Sequence, residues 1–190
     1  MARFTIFGNG NMGSAIGSVL SDGGSTVTHI TQSSGGTVDG DVVILAVPYH
    51  ALNDIVATYG DQLRGKVVVD ITNPLNFETF DSLVVPVGSS AAAELAAKLP
   101  DSKVLKAFNT NFAATLSSKK VGADKTTVLV AGDDSAAKQV LVSALEAGGL
   151  AAIDAGSLAR AHQLEALGFL QLTLAAGEKL PWTGGFAVAR

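Results

Sequence analysis

The sequence predicts an α/β fold: a doubly wound, mostly parallel sheet with helices on both faces. Three observations carry that expectation. Strand-like and helix-like stretches alternate along the 190 residues, with turn signals between them. Several strand candidates, Val42-Val43-Ile44-Leu45-Ala46-Val47 among them, are apolar throughout instead of alternating, as strands covered on both faces must be. Finally, Gly8-Asn9-Gly10-Asn11-Met12-Gly13 stands directly between the first strand and the first helix, which is the order of a Rossmann-type dinucleotide-binding unit.

Arg3–Phe7 opens the sheet as a short β-branched and aromatic run. The helix candidate Asn11–Ser21 follows, with Met12, Ala15, Ile16, Val19 and Leu20 at spacings of three and four. Thr26–Ile30 is the second strand. The ten residues Thr31–Gly40 have loop composition where such a fold usually has a crossover helix. The crossover is therefore expected to be abbreviated, leaving one edge of the sheet thin. Further strands are expected at Asp41–Val47, Lys66–Ile71, Lys103–Phe108 and Thr126–Ala131, with a short Ala151–Ile153. Helices are expected at Ala51–Tyr59, Ala91–Leu99 and Ser135–Ala147, the last with Asp133 and Asp134 as caps. The helix Leu158–Ala175 carries Ala161, Leu164, Leu167, Leu170 and Leu174 on one stripe, with Phe169 and Leu172 beside it. A helix this apolar is buried on more than one side, so the tail Pro181–Phe186 or a second subunit is expected to cover it. Residues 1–190 read as one dinucleotide-binding domain, with 158–190 as its C-terminal helix and tail.

Composition narrows the function classes. Apolar residues make up 47% and charged residues 16%, which supplies a sizeable core and argues against disorder. A net charge of −4 and a pI near 5.2 argue against nucleic acid or an anionic membrane surface as the main partner. With no cysteine, disulfides, thiol catalysis and thiolate metal sites are excluded. The apolar runs are strand-length, far short of the ~20 residues of a membrane helix, and the chain enters its first strand with no basic, cleavable leader. It reads as cytoplasmic.

Each glycine of the fingerprint has a physical role. Gly8 lets the chain turn sharply out of the strand, Gly10 leaves a pyrophosphate room to approach the backbone, and Gly13 lets the helix pack closely on the sheet. The helix start adds unpaired N–H groups and a partial positive charge. Gly8, Asn9, Gly10, Asn11, Met12 and Gly13 are therefore expected to form the cofactor-binding loop. NAD binders generally place an Asp or Glu about 20 residues past the glycines, at the end of the second strand. That place here reads Thr31-Gln32-Ser33-Ser34. No acid is present to repel a 2′-phosphate, and three hydroxyls and an amide can bond one, so NADP is preferred over NAD. The arginine that would mark NADP more strongly is missing, and the same residues also compose a flexible turn.

Ala46, Val47 and Pro48 end a strand, where ligands of doubly wound sheets sit, and are expected to flank the ribose or nicotinamide. Asn73 and Pro74 make a turn signal but also lie at a strand end, and are expected to line the cofactor site. Asn109, Thr110 and Asn111 follow a further strand with groups suited to orienting a carboxamide or an acceptor ring. His50 reads as a solvated loop histidine. Arg160, His162 and Glu165 share a helix, where His162 and Glu165 read as a surface ion pair. No His/Asp/Glu cluster has metal-ligand spacing, and no nucleophile motif appears. No catalytic side chain is assigned, which fits chemistry carried by cofactors and oriented by protein.

The motifs also occur in a telling order. Phe4-Thr5-Ile6-Phe7-Gly8-Asn9-Gly10-Asn11-Met12-Gly13, Ala46-Val47-Pro48, Asp70-Ile71-Thr72-Asn73-Pro74-Leu75, Lys106-Ala107-Phe108-Asn109-Thr110 and Ala159-Arg160-Ala161-His162-Gln163-Leu164-Glu165 follow one another. Together they resemble the NADPH-dependent deazaflavin-coenzyme (F420) reductase family, and the domain is similar to the oxidoreductase domain of the STEAP metalloreductases. The resemblance covers nearly the whole chain. It implies NADPH as cofactor, a flavin or deazaflavin as co-substrate, hydride transfer between them, a homodimer, and a nicotinamide carboxamide bound by backbone near Ala113. The chain departs from the family after the second strand, where the short 32–40 loop replaces a helix with basic residues.

Two other functions compete with an NADPH-dependent oxidoreductase acting on a small redox acceptor. Gly10-Asn11-Met12-Gly13 with Ala15-Ile16 also resembles the opening of pyrroline-carboxylate reductases, hence an imine or hydroxyacid reductase. The empty catalytic inventory equally suits a non-catalytic dinucleotide sensor.

Overall fold

The computed structural model describes residues 2–189. Arg3–Phe7 (β1) buries Phe4, Ile6 and Phe7 and leads through the glycine loop into Asn11–Asp22 (α1). Thr26–Ile30 (β2) returns beside it, and the chain then reaches Val42–Leu45 (β3) without a helix. The abbreviated crossover is thus present, and Thr26, Thr28 and His29 of β2 are exposed at the thin edge it leaves. A 3₁₀ turn at Tyr49–Ala51 precedes Leu52–Leu63 (α2), which runs four residues beyond the expected Tyr59 because Gly60 is accommodated inside the helix. Val67–Asp70 (β4), Ala91–Lys98 (α3) and Lys103–Lys106 (β5) follow. A short helix, Ala113–Ser118 (α4), and a hairpin of Lys120–Val121 (β6) with Asp124–Lys125 (β7) come next, neither of which the sequence announced. Thr127–Gly132 (β8), Ser135–Ala147 (α5), Ala151–Gly156 (β9) and Ala161–Ala176 (α6) complete the chain.

The seven-stranded sheet has the order β2-β1-β3-β4-β5-β8-β9. All neighbours are parallel except β5 and β8, which meet antiparallel through Leu105–Gly132 and Lys106–Ala131. This is the expected Rossmann-type, doubly wound sheet. Its two faces bury separate apolar clusters. Ile6, Ile16, Leu20, Ile44, Leu105, Leu116, Leu141 and Leu145 lie on the side of α1, α4 and α5. Phe7, Leu45, Leu52, Leu63, Val68 and Leu95 lie on the side of α2 and α3. Asp134 caps α5 as expected, accepting from the Ala137 N–H at 2.8 Å. Asp133 instead accepts from the Leu158 N–H at 2.9 Å and so holds the turn before α6.

The sequence misplaces the buried face of α6. Leu170 is exposed, whereas Ala161, Leu164, Glu165, Gly168, Gln171 and Ala175 are buried. The physical reason is a charge that must be neutralised. Lys106 is fully buried, with Nζ 2.9 Å from Asp70 Oδ2 and 2.8 Å from Glu165 Oε1. Glu165 is therefore no surface partner of His162, whose Nδ1 donates instead to the Ser89 carbonyl at 3.0 Å. The Glu165 carboxylate also accepts from the Ala91 and Ala92 N–H groups that open α3. One ammonium and two carboxylates thus bind β4, β5, α3 and α6 together over the carboxyl ends of the strands. Burial pushes the Glu165 carboxyl above its ordinary range, against the opposing pull of Lys106. Two contacts hold the tail: the Phe186 N–H donates to Gln171 Oε1 at 3.1 Å, and the Trp182 ring packs on Phe112.

Lys106→Met would leave two buried carboxylates with no cation and is expected to cost about 3–5 kcal/mol. The Glu165 carboxyl, already raised by burial, would then lose the opposing pull of Lys106 and rise further above its unfolded value. Stability would be present at low pH and lost as pH rises through the folded value. Urea unfolding should therefore show a larger deficit at about pH 8 than at about pH 5; an equal deficit at both would contradict the assignment of the charges.

Candidate dinucleotide-binding site

β1 lies between β2 and β3, and the chain winds away from β1 in opposite directions on its two sides. At such a switch in strand order a crevice opens outside the carboxyl ends of the strands. The glycine loop sits in that place. Gly8 has φ +98°, which side chains rarely adopt, and its N–H donates to the Ile30 carbonyl at 2.8 Å. A Cβ on Gly8 would collide with the Ala46 carbonyl oxygen, and one on Gly13 would collide with the Gly8 carbonyl oxygen. These two glycines exist because backbone packs on backbone there.

Gly10 is different. It is the N-cap residue of α1 at φ −67° and ψ −173°, supplies no side-chain cap, and a Cβ built on it meets nothing within 4 Å. The first turn of α1 has no acidic side chain, and Asn9, Gly10 and Asn11 are exposed. Ser14 fixes the loop from below, its Oγ donating to the Asn9 carbonyl at 2.8 Å. The result is an open cradle of backbone at a helix N-terminus, which suits a pyrophosphate. Met12 is half-buried at its inner rim.

At the end of β2, the hydroxyls of Thr31, Ser33 and Ser34 converge. Thr31 Oγ1 lies 3.1 Å from Ser33 Oγ and 2.9 Å from Ser34 Oγ, and Ser34 Oγ accepts from the Thr31 N–H at 3.0 Å. Gln32 stands exposed beside them. No carboxylate lies within this turn; Thr31 Oγ1 donates to Ser34 Oγ, which lies within reach of the Thr31 and Gly35 carbonyls.

Ala46 and Val47 are half-buried and Pro48 is exposed, immediately before the Tyr49–Ala51 turn. Tyr49 donates to Glu94 Oε2 at 2.6 Å. Burial, together with that carboxylate, pushes its phenol up to about 12. His50 is exposed. A cavity of about 400 Å³ lined by Ala57, Gly60, Arg64, Pro100 and Asp101 lies before β4 and β5, at the opposite end of the sheet from the glycine loop.

Asn73 and Asn109 are brought together, as their strand ends predict, but their donors are engaged within the protein. Asn73 Nδ2 donates to the Asn109 carbonyl at 2.8 Å, and Asn109 Nδ2 donates to Asn73 Oδ1 at 3.0 Å and the Leu164 carbonyl at 2.8 Å. α6 presses Gly168 onto this pair so closely that a Cβ would overlap both amides. Asn109 Oδ1 and Thr72 Oγ1 are buried with no hydrogen-bond partner among the described residues. Asn111 donates to the Thr127 carbonyl, and Thr110 accepts from Gln171. Pro74 follows Asn73 and is buried, and Ala113 opens α4 behind Phe112. Sequence reasoning placed Glu165 at the surface and gave Lys106 and Gln171 no role, although all three shape this wall from beneath; nothing local distinguishes them from solvated residues.

Comparison with known proteins identifies the family. Residues 27–74 match the family model described as NADP oxidoreductase, coenzyme F420-dependent. The F420-dependent NADP reductase of Methanocaldococcus jannaschii is 34% identical over 150 residues, which are 77% of this chain and 67% of that protein. The chain belongs to the coenzyme F420-dependent NADP oxidoreductase family. This family member is also 30% identical over 142 residues to the metalloreductase STEAP3 of Rattus norvegicus, across 75% of the chain and 28% of that protein. Its fold matches the crystal structure of a candidate F420-dependent NADP reductase from Arthrobacter sp. FB24, with a TM-score of 0.87 over 100% of both chains at 23% identity.

The glycines separate binding from folding. Gly10→Val should leave the thermal midpoint within a few degrees of the parent while abolishing NADPH binding in calorimetry. Gly8→Val should fail to fold at all. A Gly10→Val protein that binds NADPH as the parent does would remove the pyrophosphate from this loop.

Proposed function

We propose that this protein transfers hydride between NADPH and the deazaflavin coenzyme F420, with residues 1–190 acting as one dinucleotide-binding domain. The observation that carries the reading is the open, uncapped N-terminus of α1 at Gly10, placed at the switch point of the sheet. Backbone N–H groups of Asn9, Gly10, Asn11 and Met12 hold the pyrophosphate, with Gly8 and Gly13 giving the loop its shape. Thr31, Gln32, Ser33 and Ser34 receive the 2′-phosphate. Ala46, Val47 and Pro48 flank the ribose, while Asn73, Pro74, Asn109 and the backbone at Ala113 wall the nicotinamide.

When bound, NADPH supplies a hydride and F420 takes it up together with one proton from solvent, yielding NADP⁺ and reduced F420. The chain's own residues contribute placement. The Asn73–Asn109 pair, locked by Gly168 and the Lys106 cluster, forms a rigid wall against which two rings can be held at near-contact distance. No side chain is assigned a proton transfer, since cofactor chemistry needs orientation and electrostatics from the protein. The same proposal includes work in the cytoplasm as a homodimer. Supporting that assembly, Leu170 of α6 and Trp182 and Phe186 of the tail are large apolar side chains 51%, 53% and 41% exposed, which a second copy would cover.

Family membership disfavours the imine or hydroxyacid reductase. Anaerobic NADPH oxidation with F420, a simple flavin, a cyclic imine and a ketoacid in separate assays tests the proposal. Turnover with F420 is expected; oxidation by the imine alone would replace it with the reductase reading, and tight NADPH binding without turnover of any acceptor would replace it with a sensor.

Cofactor choice gives a second test. NADPH should bind more tightly than NADH, because the Thr31–Ser34 turn holds three hydroxyls that can turn toward a 2′-phosphate and no carboxylate to repel it. Ser33→Asp should erode or reverse that preference, since the new carboxylate repels the 2′-phosphate and accepts from a ribose hydroxyl. Calorimetry with both nucleotides checks it, and equal or tighter NADH binding by the parent protein would overturn the assignment of this turn.

A further inference from the structure

We infer that His29 is a positioning residue for the glycine loop, setting the peptide whose N–H faces the pyrophosphate; the inference rests on the dinucleotide reading above. His29 lies in the exposed edge strand β2, at a place where no ligand contact is expected of it. Its Nδ1 is 2.9 Å from the Gly8 carbonyl oxygen. A carbonyl only accepts, so Nδ1 carries the hydrogen and donates. The next residue, Ile30, accepts from the Gly8 N–H at 2.8 Å. Both polar groups of Gly8 are therefore held by two consecutive residues of β2, one through a side chain and one through backbone.

The orientation follows from peptide geometry. In a planar trans peptide the C=O and the following N–H point in opposite directions. Pinning the Gly8 carbonyl on His29 therefore turns the Asn9 N–H the other way, away from His29. Ser14 acts likewise one peptide later, holding the Asn9 carbonyl and so turning the Gly10 N–H outward. Gly8 itself, at φ +98°, has the freest backbone of the loop and gains most from such a clamp.

A second, independent feature points to the same pair. Gly17 lies inside α1, where glycine is unfavourable by roughly 1 kcal/mol relative to alanine. A Cβ there would sit 2.9 Å from His29 Nε2 and 3.3 Å from its Cε1. The imidazole lies over the bare backbone of Gly17, in a slot that any side chain would take. A histidine on an edge strand and a glycine within a helix, each unaccountable alone, explain one another.

The test is NADPH affinity by calorimetry for the parent protein and for His29→Ala, His29→Phe, His29→Asn and Gly17→Ala. His29→Ala removes the donor, and His29→Phe keeps a ring in the slot without it. Each should weaken NADPH binding about threefold to tenfold, the range of one hydrogen bond. KM for NADPH should rise with kcat unchanged. His29→Asn carries an N–H where Nδ1 was and should restore most of the affinity. Gly17→Ala should weaken binding by driving the ring off the carbonyl, and should add little on top of His29→Ala. Parent-like affinity in both His29→Ala and His29→Phe overturns the inference, as does an Asn variant no better than Ala. If the parent protein itself binds no NADPH, the dinucleotide reading falls and this inference falls with it.

Discussion

Everything functional in this molecule depends on one close approach of backbone to backbone. Where β1 ends, the Gly8 peptide lies against the Ala46 carbonyl and Gly13 lies against the Gly8 carbonyl, with no room for a β-carbon at either position. That approach brings α1 in over the end of the sheet and aims its N-terminus into the gap between β1 and β3. A single methyl group at either glycine would push α1 away and with it the whole cradle. Gly10, between these two crowded positions, stands in open space. Crowding on both sides and room in the middle leave backbone at a helix start open, as the proposed pyrophosphate site requires.

The opposite wall is held by charge. Asp70 and Lys106 close neighbouring strands, and Glu165 reaches them from α6 while also accepting from the start of α3. A buried triad of this kind is weak evidence for stability, because desolvation offsets most of the attraction. Its effect lies in register. With Glu165 fixed on Lys106, Gly168 falls one turn later onto the Asn73–Asn109 pair, and Gln171 onto the Thr110 carbonyl. The long helix is thereby keyed to both strand ends, and the wall beside the expected nicotinamide position becomes rigid.

What could be read from the sequence was whatever is encoded locally. The alternation of strands and helices, the glycine loop, the Asp134 cap and the abbreviated crossover after Ile30 all rest on neighbours within a few residues, and the structure contains them. The position of β8 antiparallel to β5 and the short α4 depend on contacts distant in the chain, and neither left a periodic signal. Glu165 failed most instructively. A glutamate three residues after a histidine on a helix looks like a surface pair, and only the buried lysine on a distant strand makes it a core residue. The stripe of leucines on α6 misled for the same reason: burying Glu165 and Gln171 rotates Leu170 outward. His29 was passed over because its two partners, a carbonyl and a glycine, are invisible to residue-type reasoning.

The central claim is that a nicotinamide dinucleotide lies across the carboxyl end of the sheet with its pyrophosphate on the α1 cradle. A crystal structure of the protein with NADPH tests it most directly. Pyrophosphate oxygens are expected within hydrogen-bond distance of backbone N–H groups from Asn9 to Met12, and the 2′-phosphate among Thr31, Ser33 and Ser34. A nucleotide bound elsewhere, in the cavity between Arg64 and Pro100 for example, with the glycine loop uncontacted, would contradict it.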